Sequence, residues 1–292
     1  MSFAGTHTAL VTPFRDGAFD REAFESLIES QISGGVEGIV PVGTTGESPT
    51  LSHEEHSEVI ETAIGRAKGR CRVIAGTGSN STAEAISLTR AAERLGADAA
   101  LLVAPYYNKP SQEGVYRHYR AIAGAVGLPI ILYSIPGRCG IEIAVETVAR
   151  LATDCTNIVG IKEAGGSVER VSQLQQALPA EFEILSGDDS LTLPFLSAGG
   201  VGVISVASNL LPGQISALVR AWREGRVDEA VEAHRLHYRL FKDLFIEPNP
   251  VPIKYALSLK NAMSAEVRLP LCEMSAANKE KLRATLTALE IV

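Results

Sequence analysis

The chain has 292 residues, enough to bury a large core, and 46% of them are hydrophobic against 21% charged, which excludes a disordered chain. Lys and Arg number 27 and Asp and Glu 34, a net charge of −7, which argues against nucleic acid and anionic membrane surfaces as partners. No apolar run reaches the roughly 18 residues of a membrane span, and the opening MSFAGTHTALVTPF lacks the basic start and apolar segment of a signal peptide, so a cytoplasmic location is expected. The cysteines Cys71, Cys139, Cys155 and Cys272 lie far apart and form no CxxC pair. A reducing compartment fits them better than a disulfide framework or a zinc site.

Short apolar segments recur along the chain at residues 8–11, 38–42, 72–75, 99–104, 129–133, 158–162, 183–186 and 201–206. Most are apolar on both faces, as in Ala100-Leu101-Leu102-Val103. That marks strands of a parallel sheet covered by helices. Helical patterns fill the gaps. Asp20 caps a stripe of Phe24, Leu27, Ile28 and Ile32. Ser52 and Glu55 form a capping box before Val59, Ile60, Ala63 and Ile64, and Ser81 and Glu84 form a second before Ile86, Leu88 and Leu95. Val168, Val171 and Leu174 give another stripe. The alternation predicts an α/β fold, a (β/α)8 TIM barrel. An open doubly wound sheet is the alternative, but no GxGxxG fingerprint follows an early strand. Beyond Pro212 come Ile215, Leu218, Val219 and Trp222, then Val231, Leu240, Phe241 and Leu244. One helix closes the barrel, so residues 1–225 read as the barrel and 226–292 as a C-terminal helical appendage.

In such barrels the chemistry sits at the carboxyl ends of the strands. Those positions hold Thr44 and Thr45, Asn80, Tyr106 and Tyr107, Tyr133 and Arg138, Lys162, Gly187 and Asp188, and Ile204 with Ser205. Lys162 ends the run Ile158-Val159-Gly160-Ile161-Lys162. Alternation puts Val159 and Ile161 toward the helices, and Gly160 and Lys162 inside. Such a lysine either reaches solvent beside a carboxylate or attacks a carbonyl to form a Schiff base. Attack needs a neutral amine, and at the reference pKa of about 10.4 only about 0.1% is neutral near physiological pH. An apolar interior disfavours the ammonium, and a drop of three units corresponds to about 4 kcal/mol.

Tyr133 ends the neighbouring strand, where a phenol can relay protons or simply line the rim. Gly43-Thr44-Thr45-Gly46-Glu47 is a glycine-flanked turn whose N–H groups could cradle a carboxylate. Gly199-Gly200-Val201-Gly202 precedes the last strand and reads as a turn. His53 and His56 lie three apart in HEEH, without the spacing of the HExxH zinc motif. His234 and His237 sit among arginines on what reads as a solvated helix.

Four segments in order resemble one family: Gly43-Thr44-Thr45-Gly46-Glu47-Ser48, Ala104-Pro105-Tyr106-Tyr107-Asn108-Lys109-Pro110, Tyr133-Ser134-Ile135-Pro136-Gly137-Arg138 and Gly160-Ile161-Lys162-Glu163-Ala164. The chain is similar to the dihydrodipicolinate synthase and N-acetylneuraminate lyase family of class I aldolases, from Ala9 to Lys254. The resemblance implies a homotetramer, a dimer of dimers, and no cofactor or metal. It implies an imine between Lys162 and pyruvate. Tyr133 is then the proton shuttle, linked through Thr44 to Tyr107, which reaches into the neighbouring subunit. Thr44, Thr45 and the backbone near Ile204 hold the pyruvate carboxylate.

Arg138 resembles the arginine with which synthase members bind aspartate 4-semialdehyde, and a guanidinium suits bidentate carboxylate binding. The resemblance therefore implies a lyase that condenses pyruvate with L-aspartate 4-semialdehyde to 4-hydroxy-tetrahydrodipicolinate, in diaminopimelate and lysine biosynthesis. It also implies an L-lysine effector site at Ser48, His53, His56, Asn80, Glu84 and Tyr106. Ser134 and Cys139 depart from the asparagine and threonine of many synthases. The alternatives are a sialate or keto-sugar-acid lyase, which does not need Arg138, and a non-catalytic keto-acid-binding barrel, which would lack Lys162 or Tyr133.

Overall fold

The structure, a computed structural model, describes residues 2–292. Ten strands occur in chain order: β1 (Gly5–Ala9), β2 (Phe14–Arg15), β3 (Ala18–Phe19), β4 (Gly38–Val40), β5 (Arg72–Gly76), β6 (Ala99–Val103), β7 (Ile130–Ser134), β8 (Ile158–Glu163), β9 (Glu183–Ser186) and β10 (Gly202–Ser205). All but β2 and β3 pair in parallel and close a barrel in which β1 joins β10 to β4. The open doubly wound sheet is thereby excluded. Inside, Ala9, Val40, Ile74, Ala99, Leu101, Ile131, Leu185 and Ile204 pack on one another, with Phe3 among them. The alternate residues, such as Ile39, Val73, Leu102, Leu132, Ile161 and Ile184, join the core formed with the surrounding helices. Both strand faces are buried, which explains the continuous apolar runs.

One expectation about β8 needs correction. Val159 does not share a face with Ile161 but packs against the barrel interior. Ile130 pairs with Ile158 and Ile131 with Gly160, so the β7–β8 register shifts and Val159 is the extra residue. A bulge of this kind resets the alternation. Beyond it Tyr133 pairs with Lys162, and Lys162 still points inward.

The first strand begins earlier than expected and hands over to the antiparallel β2–β3 hairpin. Its turn is Asp16-Gly17, with φ of 54° and 80°, the left-handed pair that favours Asp-Gly. Asp20 accepts from the Ala23 N–H at 3.1 Å and starts the helix Arg21–Ser33. Ser52 and Glu55 form both halves of their capping box. The Ser81 box is only half formed, because the Glu84 carboxylate turns to Ser79 and His53 instead. The expected solvated helix with His234 and His237 is Val227–Asp243. It buries His237, whose Nδ1 donates to the Ala233 carbonyl at 2.8 Å.

After the helix Pro212–Arg223 come the helices Val227–Asp243, Val251–Leu259 and Ala276–Ala288. The third of these four is buried from Val251 to Leu257. Its Lys254 is fully buried and makes a 2.5 Å ion pair with Glu47. The Arg268 N–H donates to the same carboxylate at 3.0 Å, while its guanidinium grips Glu55 and lies 4.2 Å from the Phe14 ring centroid. The C-terminal segment is thus tied to the mouth of the barrel. Among the described residues no helix is long and apolar enough to cross a membrane.

Candidate active site

Strands β7 and β8 bring Tyr133 and Lys162 together. The Lys162 amine lies 4.1 Å from the Tyr133 ring centroid, and both side chains are buried. Burial is the main cause that pushes the amine down to about 7; the Asp189 carboxylate opposes this and the Arg138 guanidinium adds to it. At that value roughly half the amine is neutral near pH 7. Burial likewise pushes the Tyr133 phenol up to about 12, opposed by the Arg138 guanidinium and the Thr44 side chain. The phenol stays protonated at neutral pH and is suited to give and retake a proton. Glu163, next to Lys162 in the chain, is engaged elsewhere: Arg170 donates to it at 2.6 Å, and so does the Gly165 N–H.

The turn after β4 carries Thr44 and Thr45. Val42 and Glu47 bracket it in left-handed backbone, with φ of 50° and 54°. The N–H groups of Gly46, Glu47 and Ser48 are taken by the carbonyls of Gly43 and Thr44. That narrows the expected anion cradle to Thr44 and Thr45. Thr45 is buried, and its hydroxyl accepts from Asn249 Nδ2 at 2.9 Å. Arg138 sits in the short helix Pro136–Cys139 after β7 and donates to the Asn249 carbonyl at 3.4 Å. Ile204 lies in β10 with its side chain in the barrel interior.

A cavity of about 390 Å³ opens at this end of the barrel, bordered by Thr44, Tyr133 and Arg138. Its other wall includes Ser48, His53, His56, Glu84 and Tyr106. His53 Nε2 is 2.9 Å from a Glu84 oxygen. Hydrogen bonds from Ser79 and His53 hold Glu84 below the usual carboxylate range. His56 is buried and donates to the Gly76 carbonyl at 2.9 Å, and burial lowers its pKa. Asn80 does not border the cavity; its amide donates to the Tyr106 carbonyl at 3.1 Å. Tyr107 is 88% exposed, with φ of 71°, and does not border the cavity. Among the described residues no group of three or more His, Cys, Asp or Glu side chains is placed to hold a metal ion.

Three neighbours of the site have no role assigned from the sequence. Asp189 is buried after β9; its carboxylate accepts from Ser205 Oγ and from the Val206 and Ala207 N–H groups at 3.0 and 2.9 Å. Burial pushes it up to about 6. Its signal in the sequence is its place after a strand end, beside the Gly187-Asp188 pair. Asn249 and Lys254 close the segment over which the family resemblance runs, but they lie more than 200 residues from the turn they touch, so nothing local shows that contact.

A buried amine of lowered pKa beside a phenol, inside a (β/α)8 barrel, defines a class I aldolase type of site. The chain belongs to the Dihydrodipicolinate synthetase family, whose model matches residues 2–289. It is 53% identical over 284 residues to a 4-hydroxy-tetrahydrodipicolinate synthase of Endomicrobium trichonymphae, covering 97% of each chain. Among solved structures, the 4-hydroxy-tetrahydrodipicolinate synthase of the thermoacidophilic methanotroph Methylacidiphilum fumariolicum SolV is 58% identical, with a TM-score of 0.98 over 99% of this chain and 96% of that one. A lysine-bound synthase from Cyanidioschyzon merolae is 43% identical, with a TM-score of 0.96 over 99% of each chain.

Proposed function

We infer that the chain catalyses the Schiff-base condensation of pyruvate with L-aspartate 4-semialdehyde to 4-hydroxy-tetrahydrodipicolinate, in lysine biosynthesis. The carrying observation is Lys162, an amine held at about 7 inside the barrel against Tyr133, in a chain half identical to named synthases. The neutral amine adds to the pyruvate ketone and water leaves, giving an imine. Tyr133 passes the protons, with Thr44 beside it. Loss of a methyl proton gives the enamine, which attacks the aldehyde. The amine of the condensed product then displaces Lys162 and the ring closes. Thr44, Thr45 and the backbone at Ile204 hold the pyruvate carboxylate, and Arg138 takes the carboxylate of the acceptor.

The exposed, left-handed Tyr107 supports a role in a neighbouring subunit of a homotetramer, which sedimentation would weigh directly. We read residues 1–225 as the catalytic barrel and 226–292 as its helical appendage. The absence of a spanning helix among the described residues, together with a biosynthetic reaction, supports a cytoplasmic location. Ser48, His53, His56, Asn80, Glu84 and Tyr106 supply the carboxylate, imidazoles and amide that an amino-acid effector needs, and the lysine-bound relative supports L-lysine in that place.

The test is pyruvate consumption with aspartate 4-semialdehyde as sole acceptor, repeated across a millimolar L-lysine titration. Consumption that lysine suppresses is expected. A flat lysine response removes the effector reading alone. Arg138→Ala should lower kcat/KM for the aldehyde by about 100-fold, or about 3 kcal/mol, while borohydride still links pyruvate to Lys162. Trapping without consumption in the unmodified enzyme would favour a lyase of different acceptor.

A further inference from the structure

Asn249 joins two substrate-facing elements that are far apart in sequence. Its side-chain Nδ2 lies 2.9 Å from the Thr45 hydroxyl, and its main-chain carbonyl accepts from Arg138 at 3.4 Å. Both Asn249 and Thr45 are buried, so the contact between them is shielded from water. The residue is held from the far side as well. Five positions on, Lys254 makes its buried ion pair with Glu47 in the same turn as Thr45. Asn249 therefore has little freedom to retreat from the hydroxyl.

We propose that Asn249 is a positioning residue that aims the Thr45 hydroxyl proton at the carboxylate of the keto acid. An amide NH2 group can only donate, and a hydroxyl carries one proton and two lone pairs. When Asn249 fills a lone pair of the Thr45 oxygen, the hydroxyl proton is left to point at another acceptor. The keto-acid carboxylate is the acceptor that the proposed reaction brings to this turn. A hydrogen bond to a charged group contributes more than a neutral one, so a donor already aimed matters most for an anion. Asn249 acts through Thr45 and touches no reacting atom. The buried Oδ1 of Asn249 has no hydrogen-bond partner, so the amide gives its bond to Thr45 and gains none on its other side.

The inference rests on the reading of Lys162 as the amine that takes pyruvate. The experiment is borohydride trapping of the purified enzyme across a pyruvate series, read as adduct mass, for the unmodified enzyme, Asn249→Ala, Asn249→Asp, Thr45→Val and the Thr45→Val/Asn249→Ala pair. Asn249→Asp is nearly isosteric but can only accept when ionised, so it turns the hydroxyl proton away from the substrate. Half-saturating pyruvate should rise about tenfold or more in Asn249→Ala and further in Asn249→Asp. The fully trapped level should be retained. In the Thr45→Val background, Asn249→Ala should add little, because the shared hydroxyl is already gone. A residue that only supports the fold would lower the trapped fraction at every pyruvate level without moving the half-point, and that result would overturn the proposal. So would equal, additive shifts in both backgrounds. Failure of the unmodified enzyme to trap pyruvate would overturn the Lys162 reading and this inference with it.

Discussion

Lys162 has its reactivity because its surroundings withhold solvent from the ammonium. Burial outweighs the one carboxylate, Asp189, that favours the charged form. The sign follows directly. A neutral amine is the nucleophile, so trapping with pyruvate should fall about tenfold per pH unit below the amine's value of about 7 and level off above it. Initial trapping rates between pH 5 and 9 check this, and a limb centred near 10 would show an ordinary solvated lysine. Lys162→Ala should trap nothing. The neighbouring Glu163 cannot serve as counter-charge, because Arg170 has claimed it on the helix side. The lysine, the tyrosine and the threonine turn were all legible as residues, and an apolar interior already pointed to a lowered amine. The size of that shift was not legible, since a pKa depends on what surrounds the group.

At the scale of elements, the turn that carries Thr44 and Thr45 is held from outside the barrel. Lys254 and Glu47 are both almost wholly buried, and a buried pair broken on one side leaves an uncompensated charge. Lys254→Met should cost about 3–5 kcal/mol and lower the melting temperature by roughly 6–10 °C. Adding Glu47→Gln should recover part of the loss. A midpoint within about 2 °C of the parent would show that the pair contributes little to stability.

Elements with local codes were readable: the Asp20 cap and the Ser52 capping box form as expected. The β2–β3 hairpin was not among the expected elements: its turn has the Asp16-Gly17 pair, but its two-residue strands are too short to show alternation. The bulge at Val159 had no sequence mark. It arises from the register between two strands that the chain meets almost thirty residues apart.

At the scale of the whole molecule, burial also sets the response to acid. His7, His56 and His118 lie in the folded chain with pKa values lowered by desolvation, His118 to about 4. Below the ordinary histidine value of about 6.5, the unfolded chain binds protons that the folded chain refuses, so stability falls as pH falls. His118 alone should account for about 3 kcal/mol lost by pH 4. Denaturant melts at pH 7 and pH 4.5 check this, and His118→Gln should flatten part of the decline. An unchanged slope in that variant would assign the acid loss to other groups.

The sequence by itself determined the parallel barrel. Runs apolar on both faces, spaced by helical stripes, can bury themselves in few other ways. It also placed Tyr133 and Lys162 at strand ends, because apolar runs are local, but not the face of every strand residue, since the Val159 bulge comes from register between strands. Only the tertiary structure decided which of those residues meet. It set Lys162 against Tyr133 by pairing β7 with β8, brought Asn249 to Thr45 and Lys254 to Glu47 across more than 200 residues, and turned Tyr107 outward. The reason is physical: desolvation and contact depend on closure of the barrel, and closure belongs to the whole chain at once.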